Sequence, residues 1–206
     1  FYWYKKVADQ GDAGAQLNVG IMYEYGKGVG QDYSQAAFWY KKAAEQGQSE
    51  AQANLGWFYS NGKGLELDYT KAIEWYKKAA EHGNTSAQLS LGEIYKNGKG
   101  IPEDYTQAFY WYKKVAEQGD ASAQYNLGFM YEYGKGAAED YTQAVHWYKK
   151  AAEQGDTQAQ LNIALMYKYG TGVSEDYSQA VYWYKKAAEQ GDTKAQVNLA
   201  TMYNAG

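Results

Sequence analysis

Apolar positions in this chain recur at helical spacing. In the stretch AQLNVGIMYEYG, Ala15, Val19, Met22 and Tyr23 fall at i, i+4, i+7 and i+8, which is one stripe of a helix. Asp12 stands where an N-cap belongs, and Asn84, Asp120, Asp156 and Asp192 take that place further on. Gly26 stops the pattern, as do Gly62, Gly98, Gly134 and Gly170. A second stripe follows, made of Tyr33, Ala36, Ala37, Tyr40 and Ala44. It opens on DYSQA, a capping-box variant with Asp32 as N-cap and Gln35 at the third helical position. Lys41 and Lys42 lie near its end, where positive charge suits the helix dipole, and Gly47 closes it.

The pair, helix A and then helix B, repeats with a period of 36: close copies of WYKKAAEQG begin at Trp3, Trp39, Trp75, Trp111, Trp147 and Trp183. A fixed period of this size predicts an all-α solenoid, in which stacked neighbours supply the core that one hairpin cannot. The tryptophan offers a large apolar plug to each interface. Gly20, Gly56, Gly92 and Gly128 recur in mid-helix A, with Ala164 and Ala200 in their place later. A mid-helix glycine costs about 1 kcal/mol against alanine, so its recurrence predicts close packing at that point.

The motifs AQxxLGxxYxxG, the KG turn and DYxxAxxWYxKAAEQG cover the whole chain and resemble the Sel-like repeat family, a branch of the tetratricopeptide superfamily. The resemblance implies a right-handed α/α superhelix of antiparallel helix pairs, one solenoid domain of about six repeats over residues 1–206. It implies a scaffold or adaptor that binds a protein or peptide in its concave groove, and among bacterial members a periplasmic or secreted location. Some members are cysteine-rich; this chain has 0 cysteines, so nothing specific to them carries over.

Composition narrows the function classes. Net charge is −4 and every basic residue is lysine, which argues against nucleic acid as a partner. No segment approaches the roughly 18 unbroken apolar residues of a membrane span. Without cysteine there is no disulfide scaffold, thiol catalysis or cysteine zinc site. His82 and His146 have no third ligand in register, which predicts no metal site and no triad. The GKG turns follow a helix rather than a strand and lack phosphate-loop spacing. Asp32, Asp68, Asp104, Asp140 and Asp176 are caps, so the chain reads as non-catalytic, with no cofactor.

The repeats serve as their own alignment. Fixed positions, such as those of Ala15, Gln16 and Tyr23, serve the architecture; varying ones are free for a partner. The positions of Gly14, Leu17, Ile21, Glu24 and Tyr25 vary and are expected to form one stripe facing the groove. Along the chain that stripe offers Tyr25, Trp57, Lys96, Tyr125, Phe129, Tyr133, Leu161, Leu165, Lys168 and Tyr169. Trp57 is the one tryptophan off the 36-residue beat and the leading contact residue. Asn18, Asn54, Asn126 and Asn162 recur beside it; either their amides hold a bound peptide backbone, or they form a polar ladder between A helices or a bond to the preceding loop. The same aromatic and amide surface also suits a glycan or cell-wall sugar. The Lys41–Lys42 pairs, each followed by an acidic residue such as Glu45, read as a solvated edge. The chain opens inside a helix B and closes after a helix A, which predicts a fragment of a longer array and head-to-tail self-association.

Overall fold

The computed structural model describes residues 1–205. Among them are twelve α-helices and no strand: α1 Tyr2–Asp9, α2 Ala13–Tyr25, α3 Tyr33–Glu45, α4 Ser49–Asn61, α5 Tyr69–Glu81, α6 Thr85–Asn97, α7 Tyr105–Glu117, α8 Ala121–Glu132, α9 Tyr141–Glu153, α10 Thr157–Tyr169, α11 Tyr177–Glu189 and α12 Thr193–Ala205. Even-numbered helices are the A helices and odd-numbered ones the B helices. They fall into two compact units, the first Phe1–Glu103 and the second beginning at Asp104. Within each unit every helix packs on the next, so both are stacks of helical hairpins, the all-α repeat architecture expected from the period.

The ends of the helices form as the sequence dictates. The Asp12, Asp120, Asp156 and Asp192 side chains accept the backbone N–H three residues on, at 2.7–2.8 Å. Asp32, Asp68, Asp104, Asp140 and Asp176 do the same for the B helices. Gln48 replaces the acidic cap of α4 and makes no such bond. Gly26, Gly62, Gly98 and Gly170 end A helices in the left-handed conformation, which glycine adopts without steric cost.

The core shows what the recurring residues do. Trp39, Trp111, Trp147 and Trp183 are buried, but the tyrosine that follows each goes deeper: Tyr40, Tyr112, Tyr148 and Tyr184 are at most 1% exposed. Their rings lie across the mid-helix glycine of helix A. A Cβ on Gly20 would stand 2.6 Å from Tyr40 Cδ1, and one on Gly128 2.7 Å from Tyr148 Cδ1. The close packing predicted from the glycines is therefore a tyrosine ring seated where a methyl would be.

The joints between hairpins repeat as well. Gln16, Gln52, Gln124 and Gln160 are buried, and each donates from Nε2 to a carbonyl at the end of the preceding B helix, those of Ala8, Ala44, Ala116 and Ala152, at 3.1–3.2 Å. These carbonyls are among the last of a helix, and each also accepts the N–H of the glycine three residues on at 3.0 Å, so the glutamine takes the second lone pair. The glutamine oxygen then accepts from a glutamine thirty residues on: Gln46 to Gln16, Gln154 to Gln124 and Gln190 to Gln160, each at 2.8 Å. One copy differs. His82 stands where the donor glutamine would be, and the buried Gln52 Oε1 has no partner. The second glycine of each turn braces the same joints. Gly64 has φ +63°, and a Cβ there would lie 2.3 Å from the Tyr33 carbonyl carbon.

Candidate functional site

The A helices present one line of exposed or half-exposed positions, spaced i, i+4, i+7 and i+11. In the first unit it runs Asn18, Ile21 and Tyr25 on α2, Glu50, Asn54, Trp57 and Asn61 on α4, and Ser86, Ser90, Glu93 and Asn97 on α6. In the second it runs Ser122, Asn126, Phe129 and Tyr133, then Gln158, Asn162, Leu165 and Tyr169. This stripe differs from the sequence expectation first at the position shared by Leu17 and Leu161. Leu17 and Leu161 are buried, in core clusters with the neighbouring helices, and Leu161 offers no open surface. One residue is about 100° round the helix, so the position before the asparagine turns toward its neighbours rather than outward. Tyr125, Phe129 and Leu165 are half-buried and pack against the same core, leaving only part of each outside.

The position of Glu24 also turns inward. Tyr40 donates its hydroxyl to Glu24 Oε2 and Tyr148 donates to Glu132 Oε2, the second at 2.6 Å. Ser60 meets the Tyr76 hydroxyl at 3.3 Å. Burial, and then the carboxylate as acceptor, push the Tyr40 and Tyr148 phenols far up from their ordinary value. Lys96 and Lys168 occupy this same position, both half-buried. Desolvation holds the Lys96 ammonium below its ordinary value, and Lys168 lies 5.2 Å from the Tyr169 ring.

The asparagines do not share one role. Asn18 and Asn126 donate to carbonyls four residues back in their own helix, Gly14 at 2.9 Å and Ser122 at 2.8 Å. Asn162, on the next helix A, stands near the Tyr148 hydroxyl and offsets part of the rise in its pKa. Asn54 has no hydrogen-bond partner among the described residues. The bond inside the helix was not among the arrangements the sequence suggested.

Exposed aromatic surface gathers around Trp57, which is 41% exposed and meets Phe58 edge-on at 5.6 Å. On one side of it, Tyr25, Tyr33, Asn54 and Glu24 enclose a cleft of about 400 Å³. On the other, Asn61, Tyr69, Glu93 and Lys99 border a cleft of about 200 Å³. Sequence reasoning missed Tyr33 and Tyr69 as wall residues. Both belong to the fixed DY motif and read as architecture alone, yet the turn brings the start of each B helix against the A-helix stripe. In the second unit the Phe129 and Tyr133 rings meet at 4.6 Å, tilted by 39°, and Tyr133 and Tyr169 are mostly exposed.

No group of three histidine, cysteine or acidic residues among the described residues is placed to hold a metal ion. His146 is exposed and packs edge-on against Trp147 at 5.0 Å. Burial and the charge of Lys150 hold it below its ordinary value. No described helix is long and apolar enough to cross a membrane.

Comparison with known proteins supplies the lineage. The family model described as Sel1 repeat matches residues 1–12, 13–48, 49–84, 85–120, 121–156 and 157–192. Among solved structures, the chain is similar to a protective antigen of uropathogenic Escherichia coli strains that displays an SLR fold, with 42% identity and a TM-score of 0.92. The match covers 97% of this chain and 43% of that one, so this chain spans less than half the length of the E. coli protein. A Sel1 repeat protein from Oxalobacter formigenes is similar at 38% identity and a TM-score of 0.79, over 94% of this chain and 77% of that one. Helicobacter pylori cysteine rich protein B is similar at 28% identity and a TM-score of 0.51, over 65% of this chain and 96% of that one. No curated protein matches the chain. A family model that accounts for nearly every residue, on a fold shared with two bacterial Sel1-type proteins, makes the chain a member of the Sel1 repeat family, whose proteins are in general non-catalytic interaction scaffolds.

Proposed function

We propose that this chain is a scaffold that holds an extended segment of a partner protein along the exposed stripe of its A helices, with the face around Trp57 as its main anchor. The observation that carries this reading is the pairing of Trp57 with Asn54. A tryptophan keeps 41% of its surface open beside an amide that has no partner among the described residues. Buried or half-buried amides are ordinarily bonded, and tryptophan leads the residues that dominate binding energy at interfaces. Clefts on both sides of the ring suit successive side chains of one extended segment. Tyr25 adds aromatic surface in the same unit, and in the second unit Tyr133 and Tyr169 occupy the repeat position of Tyr25.

The test labels the 7 tryptophans with 5-fluorotryptophan and assigns the Trp57 signal through Trp57→Phe. Peptides selected from a displayed random library against the intact protein are then titrated. The expected result is a saturable shift of the Trp57 signal, with binding weakened about tenfold or more in Trp57→Ala, as for an interface hot spot. Selected peptides that bind Trp57→Ala as well as they bind the parent would refute the placement. A soluble oligosaccharide that moves the Trp57 signal where no peptide does would replace the partner protein with a glycan.

A further inference from the structure

Many rings carry one of the protein's own lysines: Lys6 lies 5.5 Å from the Trp3 ring, Lys42 4.8 Å from Phe38, Lys78 4.1 Å from Trp75 and Lys114 4.7 Å from Tyr110. Others, such as the exposed Tyr133 and Tyr177, do not. Among the described residues no lysine lies over Trp57. Tryptophan offers the best cation-binding face of the three aromatics, and on this stripe that face is open while Tyr25 and Tyr169 each carry a lysine.

Charge points the same way. Glu24 is the one charged side chain in the wall of the larger cleft. Its carboxylate is fixed by the Tyr40 hydroxyl, and its charge is felt inside the cleft, where it holds the Tyr25 phenol above its ordinary value. Glu50 is exposed one helical turn before Asn54, and Glu93 lines the cleft across Trp57. Lys27 and Lys63 stand nearby, each over its own ring, 5.3 Å from Tyr25 and 5.0 Å from Tyr33. An open indole and a carboxylate, flanked by two tyrosines that already carry a lysine each on one face, fit a cation of low hydration. Arginine meets that description better than lysine, because its planar guanidinium stacks on a ring and sheds water more easily.

We propose that the cleft formed by Tyr25, Tyr33, Trp57 and Glu24 receives an arginine side chain of the partner segment, with the Asn54 amide bonded to that segment's main chain. The proposal rests on the scaffold reading above and names the anchor residue of its partner. The chain contains no arginine of its own to compete for the site.

The experiment uses the fluorotryptophan-labelled protein and three small probes: N-acetyl-arginine amide, N-acetyl-lysine amide and the neutral isostere N-acetyl-citrulline amide. The arginine probe is expected to shift the Trp57 signal saturably, with citrulline at least about tenfold weaker and lysine between them. Glu24→Gln keeps an acceptor for Tyr40 and removes the charge. It is expected to weaken arginine several-fold and leave citrulline unchanged. Citrulline as strong as arginine, or arginine moving all tryptophan signals alike, would overturn the proposal. Library peptides that bind at Trp57 without a basic residue would overturn the arginine anchor and leave the scaffold standing. Failure of every peptide to reach Trp57 would overturn both.

Discussion

The joint at Gln52 offers a test of how the hairpins are held together. Gln52 is 4% exposed and its Nε2 caps Ala44, but its Oε1 has no donor because His82 replaces the expected glutamine. His82 is exposed, and its Nδ1 donates to the Lys78 carbonyl at 2.9 Å, inside its own helix. At the equivalent joints Gln46, Gln154 and Gln190 fill the gap with 2.8 Å bonds. His82→Gln therefore installs a bond whose geometry the protein already uses at those joints. A net hydrogen bond contributes about 0.5–1.5 kcal/mol, and an unmet buried polar atom costs about 1–3 kcal/mol. Because the two overlap, the expected gain is about 1–2 kcal/mol. If the chain melts as one cooperative body, each 1 kcal/mol raises Tm by about 2–4 °C. The assay is urea and thermal unfolding of the parent, His82→Gln, Gln52→Ala and the double variant. The coupling must be specific: in the Gln52→Ala background, His82→Gln should gain nothing. Equal gains in both backgrounds would mean that glutamine simply suits the helix end, and the account of the joint would be wrong.

Two further predictions concern the turns and caps. Gly64→Ala should cost at least about 3 kcal/mol, because a Cβ there meets the Tyr33 backbone at 2.3 Å as well as a positive φ. Gly47→Ala, at φ +87° with nothing within 4 Å, should cost only about 1–2 kcal/mol; equal losses by urea unfolding would contradict this. Asp68 is held below its ordinary value by the Lys71 backbone N–H and then by the Lys71 side chain. Its folded pKa is thus lower than its unfolded one, so its contribution is present above about pH 4 and fades as pH falls through the folded value. The stability advantage of the parent over Asp68→Asn should accordingly shrink under acid, and an advantage that does not depend on pH would sink this assignment.

Most of the fold was legible because each signal is local and repeated. Asp32 before Gln35, and Gly26 after Tyr25, mark helix ends without reference to the rest of the chain. The mid-helix glycines also announced close packing, though not that Tyr40 rather than Trp39 would fill the space. The site was less legible, because variation between repeats is not exposure. Leu17 and Leu161 vary with position yet are buried, since the helices around them vary too. The asparagine column looked uniform, but the groups around each copy decide its role: Asn18 and Asn126 bond within their helices, and Asn54 does not. Tyr33 was hidden by the opposite fault: a residue fixed for architecture can also wall a cleft.

The brace at the second turn glycine has a consequence for how such an array changes length. Gly64 sits on the Tyr33 backbone, Gly136 and Gly172 sit in the same way on Tyr105 and Tyr141, and Gly100 meets the equivalent Tyr69 through its side chain. Each seam thus joins interchangeable edges. Excision of residues 49–84 would bring Gly100 to the place Gly64 held and create no seam of a new kind. Unequal crossing-over between tandem copies in the gene can therefore add or drop whole hairpins while the chain still folds. Copy number, and with it the number of stripe positions offered to a partner, becomes something heredity can adjust in single steps.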